Sequence, residues 1–318
     1  MYHKINTTAT PKSYHTFVFA CIVLVLTIPK GLQAQGKLGF MPNQNQLDVF
    51  WKADSLFNQG AYELAINFYK AFEPQKHFTI DWPVKKSLCY LLVGDTLAAQ
   101  NYMKHYVSKG GHYMYVDQIK QIPLYESIAP NENVRNQFQS NTYAFEHSDS
   151  TCLYPEVLKT LLELRELDQA YRQGRGNSNV SSRTIDSLNQ IKLDSLIHIY
   201  GWLGYREVGK SGENASFLIA QHADNNLIFQ KRCLALILEE LFKGNVYPPN
   251  YALLYDRDRV NSGEAQLFGS QVELVEAFNN FIPKKTVSME LVNAYRLYFG
   301  LDTIESYLDI MNKEYHND

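Results

Sequence analysis

The residues best suited to chemistry in this chain are one histidine and a group of carboxylate, amide and guanidinium side chains in its C-terminal half. An imidazole titrates near neutrality and acts as a general base when a carboxylate orients it. His222 is the candidate base, with Asp224 or Asp256 as the orienting carboxylate. Guanidinium and amide groups around it would bind an anion or an amide. The predicted binding residues are Asp168, Gln169, Arg172, Gln221, Asp224, Arg257, Gln266 and Gln271.

Each of these residues also has a purely structural interpretation. His222 shares a predicted helix face with Leu218 and Ile219, where a core histidine would hydrogen-bond to a neighbour. Asp168 and Arg172 have the four-residue spacing of an ordinary helix-stabilising ion pair. No G-x-S-x-G, H-E-x-x-H or catalytic-cysteine context specifies a reaction. Two hypotheses therefore stay open, a binding or assembly module and a hydrolase or transferase.

The first 34 residues have the pattern of an export signal. Lys4 and Lys12 precede an apolar run over 17–28, and Pro29 ends it. The run is shorter than the about 20 residues that a membrane span needs, and it matches a signal-peptide core. Cleavage after Ala34 would leave Gln35 as the mature N-terminus. We expect a periplasmic or extracellular protein with no integral membrane span after cleavage, and retention of the segment as an anchor is the alternative.

Composition and charge exclude several classes of protein. The 45% hydrophobic fraction is that of a globular chain. Removal of residues 1–34 leaves 27 basic against 33 acidic residues, a formal charge of −6. An acidic surface argues against nucleic acid and anionic lipid as partners. The remaining cysteines show no metal-ligand spacing, so no metal or cofactor is predicted.

The element order predicts a mostly α-helical protein, and residues 47–108 contain an internal repeat. Gly60 and Gly94 are 34 residues apart, as are Ala65 and Ala99. This is the tetratricopeptide period, in which glycine allows the turn and alanine allows close helix packing. This repeat resembles the tetratricopeptide family and lies in a tetratricopeptide-like helical region over 35–138. The resemblance implies a peptide- or protein-binding groove; a helical prefix that only packs is the alternative.

The second half of the chain predicts a further helical domain. Polar, turn-rich residues over 139–154 indicate a linker, and the domain then runs over 155–318. Its helix after Ser182 is predicted to bury Ile185, Leu188, Ile191, Leu196 and Ile199. The apolar helix over 227–243 is predicted to be the central one. Alternation over 266–271 predicts a short strand or hairpin arm, with Gly269 at a bulge or a close backbone approach.

One motif in this half has to be weighed against its context. Residues 204–211 fit the phosphate-loop pattern G-x4-G-K-[ST]. That pattern binds nucleotide only between a strand and a helix of a parallel sheet. The sequence here predicts helix on both sides and no alternation of strands and helices, so no nucleotide cofactor is expected.

The polar motifs around Asp168, His222, Asp256 and Gln266 follow one another over residues from about 160 to 310. In this order they resemble a bacterial family of unknown function. Its pattern has D-Q-x-x-R on the first helix, then G-W-P, Q-H-A-D, D-R and Q-x-Y-G-T-Q. The chain departs from it at Leu203, in place of proline, and at Phe268 and Ser270, in place of tyrosine and threonine. The resemblance implies a shared polar cluster and no known activity, substrate or cofactor. The matching residues are Asp168-Gln169 with Arg172, Gly201-Trp202, Gln221-His222-Ala223-Asp224, Asp256-Arg257, and Gln266 with Gly269 and Gln271.

Overall fold

A computed structural model describes residues 44–72, 82–108, 132–176, 180–277 and 279–317. These residues form helices and one small antiparallel hairpin, so the predicted mostly α-helical fold with a small hairpin is confirmed. The helices of the first half are α1 (Gln44–Asn58), α2 (Tyr62–Ala71), α3 (Trp82–Leu92), α4 (Thr96–Ser108), α5 (Glu132–Glu146) and α6 (Ser148–Thr151). The second half contains α7 (Pro155–Arg172), α8 (Ser182–Tyr200), α9 (Tyr205–His222), α10 (Leu227–Leu241), α11 (Pro248–Asn261), β1 (Val272–Val275), β2 (Asn280–Pro283), α12 (Met289–Tyr298) and α13 (Ile304–Asn317).

The first four helices form two tandem helical hairpins with the predicted period. Gly60 and Gly94 both have positive φ, 75° and 90°, and each ends the first helix of its pair. Glycine adopts this conformation without the clash that a Cβ would cause. Ala65 and Ala99 are fully buried, where the second helix of each pair packs against its neighbours. The tetratricopeptide assignment of these hairpins stays a prediction.

The hairpins share a core with the C-terminal helices. The ring of Phe50 on α1 lies 4.8 Å from that of Phe72 and 6.0 Å from that of Tyr298 on α12. Aromatic pairs at such distances bury large apolar areas and add about 1 kcal/mol each. Both halves belong to the compact unit Pro42–Asp318.

Residues 139–154, predicted as a linker, are largely helical. Helix α5 continues through them to Glu146, and α6 follows at once. Asn141 donates from Nδ2 to the Val107 carbonyl of α4, at 3.0 Å. A polar side chain that bonds to the end of a neighbouring helix is compatible with a helix interior, and for this reason polarity alone did not distinguish a linker from a helix here.

Helix α9 is the central helix of the second half, not the predicted segment 227–243. It packs against α5, α6, α7, α8, α10 and α11. Helix α10 instead leaves Ile228 68% exposed. Gly209 interrupts α9 with a φ of 70°, and Asp149 lies where its Cβ would be. The Asp149 carboxylate accepts hydrogen bonds from the backbone N–H and the hydroxyl of Ser211, at 2.9 and 2.5 Å.

The phosphate-loop pattern thus belongs to a kinked helix whose freed N–H group binds a side-chain carboxylate of the same chain. In the described residues the element that precedes it is helix α8 and not a strand. A carboxylate fills the position that an anion would take at such a helix start.

Two local predictions were right only in part. Helix α8 buries Ile185, Leu193 and Ile197 with Asn189, whereas Leu188, Ile191 and Ile199 are more than half exposed. The strands lie at Val272–Val275 and Asn280–Pro283, and residues 266–271 precede them as a loop with one isolated bridge, Gln266 to Thr286. Gly269 has a φ of 62°, and a Cβ there would lie 2.9 Å from Ile304, which confirms the predicted close approach.

Candidate functional site

A buried carboxylate, Asp168 on α7, collects donors from two helices. It is 2% exposed. Gln169 donates from Nε2 to Oδ2 at 2.7 Å, and Arg172 Nε lies 3.3 Å from both oxygens. From the last residue of α9, His222 Nδ1 lies 2.8 Å from Oδ1. The three predicted site residues of α7, Asp168, Gln169 and Arg172, therefore lie together with His222 around the Asp168 carboxylate.

Arg172 links this group to a residue that the sequence did not suggest. Its Nη2 donates to Asp186 Oδ1 on α8 at 2.6 Å, and its Nε lies 3.0 Å from His222 Nδ1. Asp186 follows the buried position Ile185 near the start of its helix, and no motif spacing connects it with Asp168 or His222. We call Asp168, Gln169, Arg172, Asp186 and His222 the histidine cluster.

The charges in the histidine cluster are unevenly stabilised. Burial favours the neutral form of Asp168, but the hydrogen bonds and charges of His222 and Arg172 outweigh it and lower the pKa of this carboxyl. Burial raises the pKa of Asp186, and Arg172 offsets this only in part. The cluster therefore holds one firmly ionised carboxylate and a second one that takes up a proton more readily.

The imidazole contacts in this cluster are alternatives. Nδ1 cannot hold a proton towards Asp168 and accept one from Arg172 at the same time. With the proton on Nδ1, Asp168 orients the ring and Nε2 carries the lone pair. The side chains of His222, Asp186 and Arg172 are 14%, 15% and 33% exposed, so a solute can reach this side of the cluster.

A second network starts two residues further along the chain, at Asp224. Arg257 on α11 donates from Nε and Nη2 to the two oxygens of Asp224, at 2.8 and 2.5 Å. Its third nitrogen, Nη1, donates to Gln271 Oε1 at 2.8 Å. Burial opposes ionisation of Asp224, but the bonds from Arg257 and Asn261 lower its pKa. This fork pairs α11 with the end of α9 and leaves the Arg257 nitrogens engaged.

The other predicted residues near this network, Gln266 and Gln221, take part in hydrogen bonds between a side chain and the backbone. Gln266 donates to the carbonyls of Gln271 and Lys284, at 2.8 and 3.0 Å, and accepts from the N–H of Gln271. The main-chain carbonyl of Gln221 accepts from Gln230, at 3.1 Å. Amides used in this way fix loops, so we assign Gln266 a structural position.

Asp256 organises the loop before the hairpin. It is fully buried, and it accepts from the backbone N–H groups of Leu267, Phe268 and Ser270 at 2.9–3.2 Å. Burial raises the pKa of this carboxyl, and the backbone donors partly offset that. The structure thus gives Asp256 backbone partners and Asp224 a guanidinium partner, while Asp168 takes the place at His222 that was expected for one of them.

Three groups of the histidine cluster have the geometry of cation ligands. One ligand atom each from Asp168, Asp186 and His222 lies within 4.8 Å of the others. They come from α7, α8 and α9, with no recognisable spacing between them, so no sequence pattern predicts a metal here. Carboxylate oxygen and imidazole nitrogen together suit first-row divalent ions.

A surface pocket of about 330 Å³ lies away from both networks. Its lining includes Phe145, Cys152, Tyr205 and Asn245, and none of the predicted site residues. None of the helices in the described part of the chain combines the length and apolarity required to cross a bilayer.

Comparison with known proteins gives a family but no activity. A family model described as a family of unknown function, DUF6624, matches residues 155–317, and the match begins at the first residue of α7. No curated protein and no solved structure matches the chain.

Proposed function

Because the chain belongs to the DUF6624 family, whose function is unknown, we propose a function from its site: an exported cell-envelope binding module that holds a polar ligand at the histidine cluster. The observation that carries this proposal is the convergence of Gln169, Arg172 and His222 on the buried carboxylate of Asp168, with Asp186 of a third helix joined through Arg172.

Energetics favour a functional reason for the convergence. Burying a carboxylate costs several kcal/mol unless charged hydrogen bonds compensate it, and an apolar group at the same place avoids the cost. Asp168 meets this condition only because three neighbours donate to it, and two of the donors reach an accessible face. This arrangement costs more free energy than apolar packing would, but it preorganises polar groups for ligand binding.

Export and partner binding belong to the same proposal. The leader over 1–34, which lies outside the described residues, supports an envelope or extracellular location. The tandem hairpins α1–α4 support a peptide or protein partner, since such pairs stack into binding surfaces. Cell fractionation with N-terminal sequencing tests the first part: a mature protein starting at Gln35 outside the cytoplasm is expected, and a full-length cytoplasmic chain contradicts it.

Ligand binding is tested by what the protein retains through a mild purification. Native mass spectrometry of wild type is compared with Asp186→Asn and with the control His198→Gln, an exposed residue of the same helix. A bound mass present in wild type and control, and absent from Asp186→Asn, supports the proposal. Identical spectra for all three folded proteins, both as purified and after incubation with a panel of polar ligands, contradict it.

A hydrolase or transferase with His222 as general base is the second candidate. The 2.8 Å contact of Nδ1 with Asp168 favours it, because a carboxylate at Nδ1 leaves Nε2 to take a proton from water or a hydroxyl. The orienting residue is then Asp168 rather than Asp224 or Asp256. Ester, amide and phosphoester substrates test it: turnover lost in His222→Gln but kept in His198→Gln supports catalysis, and turnover equal in both rejects it.

A further inference from the structure

We propose that Asp168, Asp186 and His222 bind a divalent transition-metal ion, with Zn²⁺ and Mn²⁺ as the chemical types, and that Arg172 takes the position of this cation in the metal-free protein. The inference deepens the proposed function and rests on it, because it names the class of ligand that the histidine cluster receives.

The first argument is the convergence of ligand atoms. A tetrahedral Zn²⁺ site has metal–ligand bonds of about 2.0–2.1 Å, so its ligand atoms are about 3.3 Å apart. The three candidate atoms already lie within 4.8 Å of one another, and His222 Nδ1 is 2.8 Å from Asp168 Oδ1. Shifts of about an ångström, within reach of side-chain rotation, convert this hydrogen-bonded arrangement into a coordination shell.

The second argument is the support behind one ligand. Gln169 holds Asp168 Oδ2 at 2.7 Å and leaves Oδ1 directed at His222. A hydrogen bond to the non-coordinating oxygen is the usual way that proteins orient a metal-binding carboxylate. His222 is the last residue of α9, and a side chain at a helix end adjusts more easily than one inside a helix.

The third argument is charge. Two carboxylates face one guanidinium, so the cluster with a neutral imidazole keeps a net charge of −1 and attracts a cation. Arg172 contacts all three candidate ligands, at 3.3, 2.6 and 3.0 Å, as an ion between them would. Its side chain is 33% exposed and has room to swing into solvent when an ion of higher charge arrives.

The ligand types select the ion. Mg²⁺ and Ca²⁺ prefer oxygen ligands alone, while imidazole suits Zn²⁺ and the two carboxylates also suit Mn²⁺. With three protein ligands, a fourth position on the accessible side stays open for water or for an anionic ligand group. This would give the polar ligand of the proposed function a direct bond.

The test is titration calorimetry with elemental analysis on tag-free protein dialysed against chelator. We expect one Zn²⁺ or Mn²⁺ per chain and no heat with MgCl2 at the same concentration. Asp186→Asn and His222→Gln should each weaken binding at least tenfold, and Arg172→Gln should tighten it because the competing cation is gone. Asp194→Asn and His198→Gln, on the same helix as Asp186, are matched controls that should bind as wild type does.

Three results overturn the inference: no binding by wild type, equal binding by wild type and the folded Asp186→Asn and His222→Gln proteins, or binding by Arg172→Gln alone. The last result would make Arg172 the permanent cation of the cluster. Circular dichroism of each variant confirms folding, and partly exposed Asp186 and Arg172 make loss of fold a smaller risk than Asp168 does. A retained organic ligand without any metal would leave the proposed function intact and remove only this inference.

Discussion

Replacing Glu213 by glutamine should stabilise the protein at neutral pH. Glu213 lies in the middle of α9 and is 1% exposed. Its two oxygens accept from the single amide nitrogen of Asn250, at 3.1 and 3.0 Å, and no cation neutralises it in the described residues. Burial raises the pKa of this carboxyl from 4.5 to about 8, although Asn250 and the Tyr247 backbone favour the charged form.

The sign of the pH effect follows from proton linkage. Below pH 4.5 both the folded and the unfolded chain carry the proton, and Glu213 has no influence on the pH dependence. Between pH 4.5 and about 8 the unfolded chain has released the proton while the folded one retains it, so folding becomes less favourable as pH rises. At pH 7 the pH lies about 2.5 units above the pKa of 4.5 in the unfolded chain, so Glu213 lowers the free energy of unfolding by about 3 kcal/mol. Glutamine removes this penalty.

Urea unfolding between pH 5 and pH 8 measures the effect. The stability gain of Glu213→Gln should grow by about 1.4 kcal/mol per pH unit and level off near pH 8. Glu207→Gln on the same helix is the matched control: burial opposes ionisation there, but Asn245 and Arg206 lower the pKa of Glu207, so its replacement should lose stability at neutral pH. A difference between Glu213→Gln and wild type that stays constant from pH 5 to 8 would refute the buried neutral acid.

Three further substitutions test the roles assigned above by urea unfolding. Asp256→Asn should lose about 3 kcal/mol, because an amide cannot accept from three backbone N–H groups on both sides, and a loss under 1 kcal/mol would contradict its role in the loop. Gly209→Ala should lose about 2 kcal/mol or more, from the positive φ and the overlap with Asp149, whereas Gly174→Ala, with a similar φ and open space, should lose less. Arg257→Lys should change stability by less than about 1 kcal/mol, since the pair with Asp224 is about one-third exposed; a larger loss would show that the fork with Gln271 is essential.

The helical architecture could be predicted because its signals are local. Gly60 and Gly94 have positive φ values and end helices where the sequence placed turns. Pro155 and Pro248 occupy the first positions of α7 and α11, where the missing N–H is harmless. Such signals depend on a residue and its neighbours, so one sequence contains them in full.

The faces of the helices depend on tertiary packing and were harder to predict. Helix α8 carries apolar residues on two sides, and periodicity alone does not choose between them. The buried side includes Asn189, which donates to the Leu164 carbonyl of α7 at 3.1 Å, and the exposed side includes Ile191 and Ile199. The side of α8 that contains Asn189 is buried, because this residue forms a hydrogen bond with the neighbouring helix α7. The sequence of α8 alone does not contain that information.

The same limit explains the site. A histidine and its carboxylate are recognised by geometry, and the sequence left Asp224 and Asp256 as alternatives for the orienting carboxylate. Residues two apart on a helix end point in different directions, and Asp224 indeed turns to Arg257 on α11. Asp168, 54 residues earlier, reaches the imidazole because α7 packs along α9. Asp186 joins the cluster through its ion pair with Arg172. The histidine cluster therefore arises from the packing of three helices and matches no sequence motif. Its ligand has to be identified by binding measurements.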